Sequence, residues 1–526
     1  MRRLLLAALL VAGCRGAAPA HDPLAAPLPT PGADVRHVDA WLDVDTDALR
    51  IGARATLTVA HPPALDTLAL GLDGALTVRS LRVDGRAVPV VRRGDGLFVP
   101  LPGTDTLSVV EVAYAGTPRA GLYAGTWEGR RVVYTDGWPD RTAGWLPAAH
   151  HPSDPLRATL TVGVPAADAD GRPMRVVATG DVLADSLGGG RRWVRTRVAP
   201  AGGATADGVP AYTLAFAAGP FEIVDGGTSA GGVAVRHALL DASLAPRLAR
   251  TAAALDTLAA LFGPYPFAAY TSVQVPMTYA GMENAAAPFL RAALYTADVA
   301  GRNAVEEVNL HELVHQWWGN AVAPADWRDL WLAEGVTTYL AADLYARLDG
   351  ADAGRRHLVR LTREIAPEDA DRALRPAALA DPADALSPTV YQKGAAVVHL
   401  IRLTVGEAAF WTAMRDLQTT HAARPLSTDA FRAAMEAASG RDLGPLFARW
   451  VDGTGRPRLV TRWDRASRTL AWSVEDDGGT LAGVPFDLYV RQGNAVRWLR
   501  ADAGAARLAG DARPTVEPVG LLLDVR

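Results

Sequence analysis

The pentapeptide His311-Glu312-Leu313-Val314-His315 is the segment whose residue types and spacing are best suited to chemistry. At about 100° per residue, two histidines four apart lie about 40° apart on one helical face, so both imidazoles can reach one ion. Zinc held by two imidazoles and one carboxylate keeps a fourth position for water, whose pKa falls to about 7. Glu312 would lie beside the metal and accept the proton of that water as it attacks a carbonyl. The pattern predicts metal-assisted hydrolysis.

A third ligand is available in Glu334, which follows His315 after eighteen residues in a second helical pattern. Packed against the first helix, Glu334 would complete a set of two histidines and one glutamate. Two imidazoles and a carboxylate suit zinc best, so we expect one Zn²⁺ per chain, although another divalent ion is an alternative. The simpler interpretation is a surface helix with two histidines, with Glu334 as a solvated carboxylate.

These residues lie in a region with helical periodicity that starts near residue 230. The stretch 302–318 has apolar residues at helical intervals, and Gly319 is expected to cap its C-terminus. A strand is predicted at 271–276 near the start of this region. Apart from 302–318, helices are predicted at 248–262, 329–348, 391–404, 407–420 and 428–438.

Alternating patterns lie on both sides of the helical region. Val38, Ala40, Leu42 and Val44 alternate with polar residues, as in a half-buried strand, and Asp84-Gly85 predicts a tight hairpin. The fold class is therefore multidomain α+β, with a mainly helical domain between two β domains. The predicted division is a signal peptide at 1–13, a tether at 14–35, an N-terminal β domain at 36–228, the helical domain at 229–455 and a small β domain at 456–526.

The N-terminus has the order of a secretory signal. Two arginines precede the apolar run Leu4–Ala12, and the residues up to Cys14 resemble a bacterial lipobox, in which Cys14 carries the lipid. We therefore expect an exported protein that is lipid-anchored to a bacterial membrane, with a plain signal peptide as the alternative. Cys14 is the only cysteine, which excludes disulfides within the chain, Cys-ligated zinc and a Cys nucleophile in the folded body.

The composition of the chain limits the kinds of binding partner that we expect. The 526 residues are 49% hydrophobic and 21% charged, as in ordinary globular proteins. With 53 basic and 57 acidic residues the net charge is −4, so no general attraction to nucleic acid is expected. Lys393 is the only lysine.

Two further motifs flank the zinc motif. Tyr279-Ala-Gly281-Met282-Glu283-Asn284 precedes it, and Tyr391-Gln-Lys393-Gly follows it. In this order and spacing, the motifs resemble those of the gluzincin aminopeptidases, the family of aminopeptidase N and the leukotriene hydrolases. The resemblance runs from about residue 36 to the end. It implies a β saddle, a thermolysin-like catalytic domain and a C-terminal region.

The resemblance also implies an activity, the removal of N-terminal residues from peptides, and a role for each motif residue. A carboxylate one residue from the scissile bond would select an unblocked N-terminus, and a phenol hydroxyl would stabilise the developing negative charge. The implied roles are zinc ligands at His311, His315 and Glu334, a general base at Glu312, substrate-lining backbone at Gly281 and Met282, an α-ammonium ligand at Glu283, and an oxyanion donor at Tyr391.

The sequence departs from the family pattern in the β domain. Many members supply a second carboxylate or amide to the substrate ammonium, but the matching stretch, 134–147, contains no Gln or Glu. Asp136 or Asp140 could substitute with a shorter reach, so strict selection for a free N-terminus is open. The short C-terminal region could also leave the cleft more open than in longer relatives.

Alternatives to an aminopeptidase remain. A more open cleft would suit a zinc endopeptidase or an epoxide hydrolase. A peptide-binding lipoprotein without turnover is a further alternative, although intact Glu312 and Tyr391 argue against it. His150-His151-Pro152 could be a second metal site but is more typical of a turn. His399, on an apolar helix, is expected to be a core residue.

Overall fold

The computed structural model describes residues 24, 28–101, 105–198, 208–299, 301–364, 371–422, 424–455, 457–475, 486–500, 504–519 and 524–525. The predicted signal peptide and Cys14 lie outside these ranges. Within them, no helix combines the length and the apolar character needed to cross a bilayer. The described residues fall into two compact units, one with residues up to 326 plus 420–425, the other with 327–419 and 426 onward.

An eight-stranded sheet dominates the first unit. Its strand Asp34–Asp45 runs parallel to Arg157–Pro165 and antiparallel to Arg50–Ala60. The predicted inward residues of the first strand, such as Val38 and Leu42, are fully buried, because alternate side chains of a strand point to opposite faces. Across the sheet the strands are Asp181–Gly188, Arg191–Val198, Arg157–Pro165, Asp34–Asp45, Arg50–Ala60, Leu107–Gly116, Thr77–Val83 and Arg86–Ala87.

The predicted hairpin at Asp84-Gly85 is present. Both residues have positive φ, 50° and 75°, and Val83 pairs with Arg86 directly across the turn. A two-residue hairpin loop of this kind needs φ > 0 at both positions, which Asp and Gly tolerate best.

Smaller sheets complete the β part of the first unit. A four-stranded sheet holds Arg175–Ala178, Phe216–Gly219, Arg130–Thr135 and Leu122–Trp127 in that order, and a three-stranded sheet holds Thr67–Gly71, Gly96–Pro100 and Val91–Arg93. Short 3₁₀ helices lie at Arg141–Gly144, Ala211–Thr213, Ala242–Leu248 and Ala292–Thr296, and a two-stranded ribbon joins Asp298–Val299 to Arg302–Asn303.

A mixed five-stranded sheet supports the helices of the first unit. Its strands are, in order, Glu222–Thr228, Ala234–Leu239, Ala269–Val275, Phe289–Arg291 and Gly281–Met282. The first two strands pair across residue 228, where the sequence predicts a domain boundary. That boundary remains a prediction. Helix α1 (Thr251–Phe262) and helix α2 (Ala304–Val314) belong to the same unit.

The second unit is helical first and then β. It begins with the 3₁₀ turn Trp327–Asp329, and a second 3₁₀ turn covers Pro382–Ala385. A π-helix, Thr389–Lys393, leads directly into helix α5. The α-helices described in this unit are α3 (Trp331–Asp349), α4 (Ala351–Glu364), α5 (Gly394–Val405), α6 (Glu407–Thr420), α7 (Thr428–Ser439) and α8 (Gly444–Trp450).

The C-terminal strands of this unit form two sheets. One holds Ala505–Arg507, Thr469–Glu475, Arg458–Asp464 and Asp524–Val525, and the other holds Ala495–Arg500, Asp487–Gln492 and Thr515–Val519. The predicted fold class is therefore confirmed: β-rich first, mainly helical next, and β strands at the end.

One helix boundary was predicted wrongly. Helix α2 ends at Val314, with His315 as its C-cap residue, and does not continue to Gly319. The backbone after Val314 turns more tightly than an α-helix. Gln316 N–H donates to the Leu313 carbonyl, and Trp317 N–H donates to the Val314 carbonyl. These i to i+3 bonds convert the last turn into a 3₁₀-type ending. The second histidine thus sits at the helix terminus.

Candidate metal centre

Helix α2 carries two of the predicted ligands and is buried on nearly every side. All of its eleven residues except Glu306 are buried. Glu306 lies in the first turn, where a carboxylate suits the helix dipole, and Arg250 donates two hydrogen bonds to it at 2.8 and 2.6 Å. Packing on all sides therefore fixes the position of the helix, so the ligands it carries are held rigidly.

The two imidazoles of this helix converge. The Nε2 atoms of His311 and His315 lie 3.0 Å apart, and both side chains are buried. His315 Nδ1 lies 2.9 Å from the Trp318 carbonyl oxygen, to which it can donate. A donor bond from Nδ1 leaves the lone pair of Nε2 for a metal, which is how backbone carbonyls commonly orient ligating histidines.

Glu334 joins the two histidines. Each of the three residues offers a ligand atom, and these atoms all lie within 4.8 Å of one another. All three side chains are buried. Among the described residues, they form the group of histidine and carboxylate side chains that lie close enough together to hold one metal ion. Two neutral imidazoles and one carboxylate are the donor set of catalytic zinc sites, so the residues fit Zn²⁺.

Glu312 lies next to the strand Gly281–Met282, which we call the motif strand. The Glu312 side chain is buried, and a β-carbon placed on Gly281 would lie only 2.1 Å from Glu312 Oε1. Glycine at 281 therefore lets the backbone approach the carboxylate. The motif strand is the last strand in its sheet as described, paired on one side only, through Gly281 with Leu290 and Met282 with Phe289. An edge strand has backbone groups available for an extended chain.

Gln316 and Asn320, which no sequence motif singled out, link the segment around helix α2 to the loop that follows the motif strand. Gln316 Nε2 donates to the carbonyls of Glu312 at 3.0 Å and Glu283 at 3.3 Å. Asn320 Nδ2 donates to the same Glu283 carbonyl at 2.7 Å. Both amides are buried and stand within five residues of His315. Buried amides this close to a metal motif are the signal that could have identified them.

Tyr391 lies in the π-helix Thr389–Lys393 and is half-buried. Single π-turns are rare and often found at functional sites. Lys393 ends this turn and is only 2% exposed, with its Nζ donating to the carbonyls of Arg372 at 2.6 Å and Gly453 at 3.3 Å. Burial, followed by the nearby Arg449, lowers the Lys393 pKa to about 8. The lone lysine thus ties the π-helix to two backbone segments.

Asp136 and Asp140 are the β-domain candidates for ammonium binding that the sequence offers. Asp136 Oδ2 accepts a hydrogen bond from Arg141 Nη1 at 2.9 Å, and Asp136 Oδ1 accepts one from the Trp138 N–H at 3.2 Å. Its carboxylate is therefore already engaged. Asp140 precedes the 3₁₀ turn Arg141–Gly144 as its N-cap residue.

The adjacent residues His150 and His151 lie at a turn. His151 Nδ1 lies 2.7 Å from Ser153 Oγ, and His150 Nε2 lies 3.3 Å from the Gly71 carbonyl oxygen. Neither histidine belongs to the ligand group found among the described residues. The turn interpretation fits these contacts.

Part of the chain matches a known protein family. The profile of the Peptidase family M1 domain matches residues 248–450. This part of the chain is a peptidase family M1 domain. It contains all of the predicted catalytic, metal-binding and substrate-binding residues, so the family predicted from the sequence is confirmed.

Similar proteins agree with this assignment. The chain is 27% identical to aminopeptidase N of Caulobacter vibrioides over 326 residues, which is 58% of the chain and 36% of that protein. It is 32% identical to aminopeptidase N of Escherichia coli over 174 residues, 32% of the chain and 20% of that protein. The matches thus span about a third or less of these relatives.

A solved structure matches over a greater length. The M1 zinc metallopeptidase of Deinococcus radiodurans has 28% sequence identity and a TM-score of 0.70, covering 82% of this chain and 96% of that one. A mutant of that protein was solved with a Tyr-Ser-Ala substrate. The M1 domain and its His, His, Glu set identify the cofactor as Zn²⁺.

Proposed function

We propose that the protein is a zinc-dependent aminopeptidase that hydrolyses N-terminal residues from peptides. The observation that carries the proposal is the convergence of His311, His315 and Glu334 within 4.8 Å. Glu312 lies against the backbone of Gly281, which gives a general base and a substrate-binding edge in contact. The relatives are named aminopeptidases or zinc metallopeptidases, and one was solved with a peptide substrate.

Each step of the proposed hydrolysis can be assigned to a residue of this chain. Bound zinc would polarise the scissile carbonyl and lower the pKa of the attacking water. Glu312 would take the proton from this water and pass it to the leaving nitrogen. The backbone of Gly281 and Met282 would hold the peptide in extended form, because an edge strand can pair with a further strand. Tyr391 would donate its hydroxyl proton in a hydrogen bond to the developing oxyanion.

Selection for a free N-terminus would depend on Glu283. Its carbonyl is held by Gln316 and Asn320, which fixes the backbone from which the carboxylate projects. Asp136 is paired with Arg141 and so supports Glu283 poorly as a second ammonium ligand. We therefore propose an aminopeptidase whose preference for free amines depends on a single carboxylate, through a charge-assisted hydrogen bond.

Hydrolysis of matched anilides tests this function. The full chain, purified in detergent, is assayed on aminoacyl anilides with free and with acetylated amino groups, before and after chelation and return of zinc. Chelator-sensitive cleavage confined to the free-amine set supports the aminopeptidase. Equal cleavage of the acetylated set would favour an endopeptidase, and no cleavage by protein that holds zinc would favour a binding module.

Glu312→Gln is the control for this assay. The variant should retain zinc, because Glu312 is not among the three ligands, and lose about 10²–10⁴-fold in kcat. His315→Ala should lose the metal itself, so the two variants separate loss of the base from loss of the ion.

We also propose that the protein is exported and anchored to a bacterial membrane through a lipid on Cys14. The support is the order of Arg2 and Arg3, the apolar run Leu4–Ala12 and the lipobox-like residues before Cys14. Mass spectrometry of the mature N-terminus should find a lipidated Cys14, and Cys14→Ser should release the protein from the membrane fraction. An unmodified Cys14 on an uncleaved chain would contradict this proposal.

A further inference from the structure

A cavity of about 540 Å³ lies in the first unit beside the motif strand. The substrate motif contributes Tyr279 and Met282 to its wall, and the β strands contribute Tyr123 and Tyr134. Met282 follows Gly281, whose backbone lies against Glu312. A peptide held along the motif strand, with its scissile bond at Glu312, would place its first side chain next to this cavity.

The charged groups that line the cavity are paired with one another or with neighbours. Asp136 and Arg141 form an ion pair at 2.9 Å, with side chains only 13% and 19% exposed. Arg119, also in the wall, pairs with Asp73 at 2.9 Å and with Asp95. A charged ligand side chain entering here would lose its hydration without gaining an uncommitted counter-charge, which is unfavourable.

Tyrosine side chains line the cavity together with the ion pair. Arg141 Nη1 also donates to the Tyr279 hydroxyl at 3.3 Å, and the rings of Tyr123 and Tyr134 lie 5.9 Å apart. Burial, and then the Asp136 carboxylate, raise the pKa of Tyr123 to about 12, so its hydroxyl keeps its proton. Rings with hydroxyl tips provide edge-to-face contacts and hydrogen bonds to an aromatic guest.

We propose that this cavity receives the first side chain of the substrate, that it prefers uncharged, ring-sized side chains, and that mutual neutralisation of Asp136 and Arg141 maintains this preference. The proposal rests on the aminopeptidase function. The proposal predicts opposite changes for the two residues, because removal of either charge leaves the other without its counter-charge and facing the substrate side chain. Without Arg141, the carboxylate of Asp136 should attract a cationic side chain. Without Asp136, the Arg141 guanidinium should attract an anionic one.

The test compares substrate ratios, which a merely structural ion pair would leave unchanged. For the zinc-loaded full chain, kcat/KM is measured on phenylalanyl, tyrosyl, arginyl and glutamyl anilides, and we expect the aromatic pair to exceed the charged pair by roughly 10²-fold. Arg141→Gln should raise the arginyl to phenylalanyl ratio at least tenfold, and Asp136→Asn should raise the glutamyl to phenylalanyl ratio similarly. The double variant should restore the original order.

Arg141→Lys is the matched control, because it keeps the charge pair and should keep the ratio. Circular dichroism checks that each variant is folded. If the single variants fail to fold, the ratio of arginyl to phenylalanyl cleavage by the parent protein still tests the preference of the cavity. An equal loss on all substrates, or a parent protein that cleaves arginyl as well as phenylalanyl anilides, would overturn the proposal.

A binding measurement separates this proposal from the proposed function. Glu312→Gln protein with zinc is titrated with phenylalaninamide, argininamide and glutamic acid amide by calorimetry, alone and combined with Arg141→Gln. The same aromatic preference and the same switch toward argininamide are expected without turnover. If the parent protein hydrolyses nothing but shows this order of binding, the aminopeptidase proposal fails and the cavity proposal stands. Equal binding of the three amides would overturn the cavity proposal even if hydrolysis is observed.

Discussion

Gly335 and Gly394 bring two backbones into direct contact. A β-carbon built on Gly335 would lie 2.7 Å from the Gly394 Cα and 2.9 Å from the Val390 carbonyl oxygen. Gly335 follows the proposed zinc ligand Glu334 on helix α3, and Gly394 follows the π-helix that holds Tyr391. A single glycine contact therefore sets the spacing between the backbones that carry the proposed metal ligand and the proposed oxyanion donor.

Gly335→Ala is expected to separate these two backbones. No side chain can rotate away to make room, because the atoms that a methyl group would meet belong to the backbone. We expect a cost of about 1–3 kcal/mol in stability and a kcat roughly tenfold lower or more, because misplacement by a fraction of an ångström weakens transition-state contacts. Kinetics and thermal unfolding check this. Gly52→Ala, where nothing lies within 4 Å, is the control, and unchanged kcat in Gly335→Ala would refute the idea.

A methyl group at position 281 should disable the proposed general base. Gly281→Ala would place its β-carbon 2.1 Å from Glu312 Oε1, so the carboxylate must turn away or the motif strand must shift. We expect kcat to fall about 10²-fold while zinc content is unchanged. The double variant with Glu312→Gln is informative: if both changes act through Glu312, it should be no slower than Glu312→Gln alone. Additive losses would show that Gly281 acts elsewhere.

Loss of the Gln316 amide should weaken substrate binding more than metal binding. Gln316→Leu removes the donor to the carbonyls of Glu312 and Glu283, and the acceptor for the Ala286 N–H at 2.8 Å. We expect zinc to remain and KM for free-amine substrates to rise about tenfold, with about 1–3 kcal/mol lost in stability. Gln274→Leu, another buried glutamine bonded to backbone, should lower stability without the rise in KM. Equal KM values would place Gln316 in a structural role only.

The carboxyl of Asp154 should make stability fall as pH rises. Burial, and then the nearby Asp34, raise its pKa from 3.8 to about 7. Because the folded state holds this proton more tightly than the unfolded state, the carboxyl's contribution is full below about pH 4 and is lost as pH rises to about 7, at about 1.4 kcal/mol per pH unit. Asp154→Asn should therefore be more stable than the parent at pH 8 and similar near pH 4.

Urea unfolding of zinc-saturated protein at several pH values measures this difference. Comparing the variant with the parent at each pH cancels the contributions of other titrating groups. A stability difference that does not change with pH would mean that the amide acts only through its hydrogen bonds, and would contradict the raised pKa.

Local spacing was enough to predict which residues form the group of candidate metal ligands. His311, Glu312 and His315 lie within one helical turn, and Glu334 lies in the first turn of the next long helix, so short-range geometry determines much of their placement. Alternation predicted strands such as Asp34–Asp45 for the same reason. Both patterns report on one element and the face that it buries.

Features that depend on contacts between distant residues were not predictable. The π-helix of Tyr391 packs against Gly335, over fifty positions earlier, and no local pattern encodes that contact. Helix α4 escaped prediction because polar residues, four of them arginines, make up most of its sequence. The engagement of Asp136 by Arg141 was also missed, since an aspartate in the segment Asp136-Gly-Trp-Pro139 gives no indication of its partner.

Because Lys393 is buried, the rate at which its amine reacts would report local opening of the folded chain. Lys393 carries the chain's one ε-amine, and the folded protein hides it at the end of the Tyr391 turn. An amine-directed reagent can therefore modify a side-chain nitrogen only when this turn opens. The rate of modification, followed by the mass of one peptide, would give the opening frequency of the segment that holds the proposed oxyanion donor, without any engineered label.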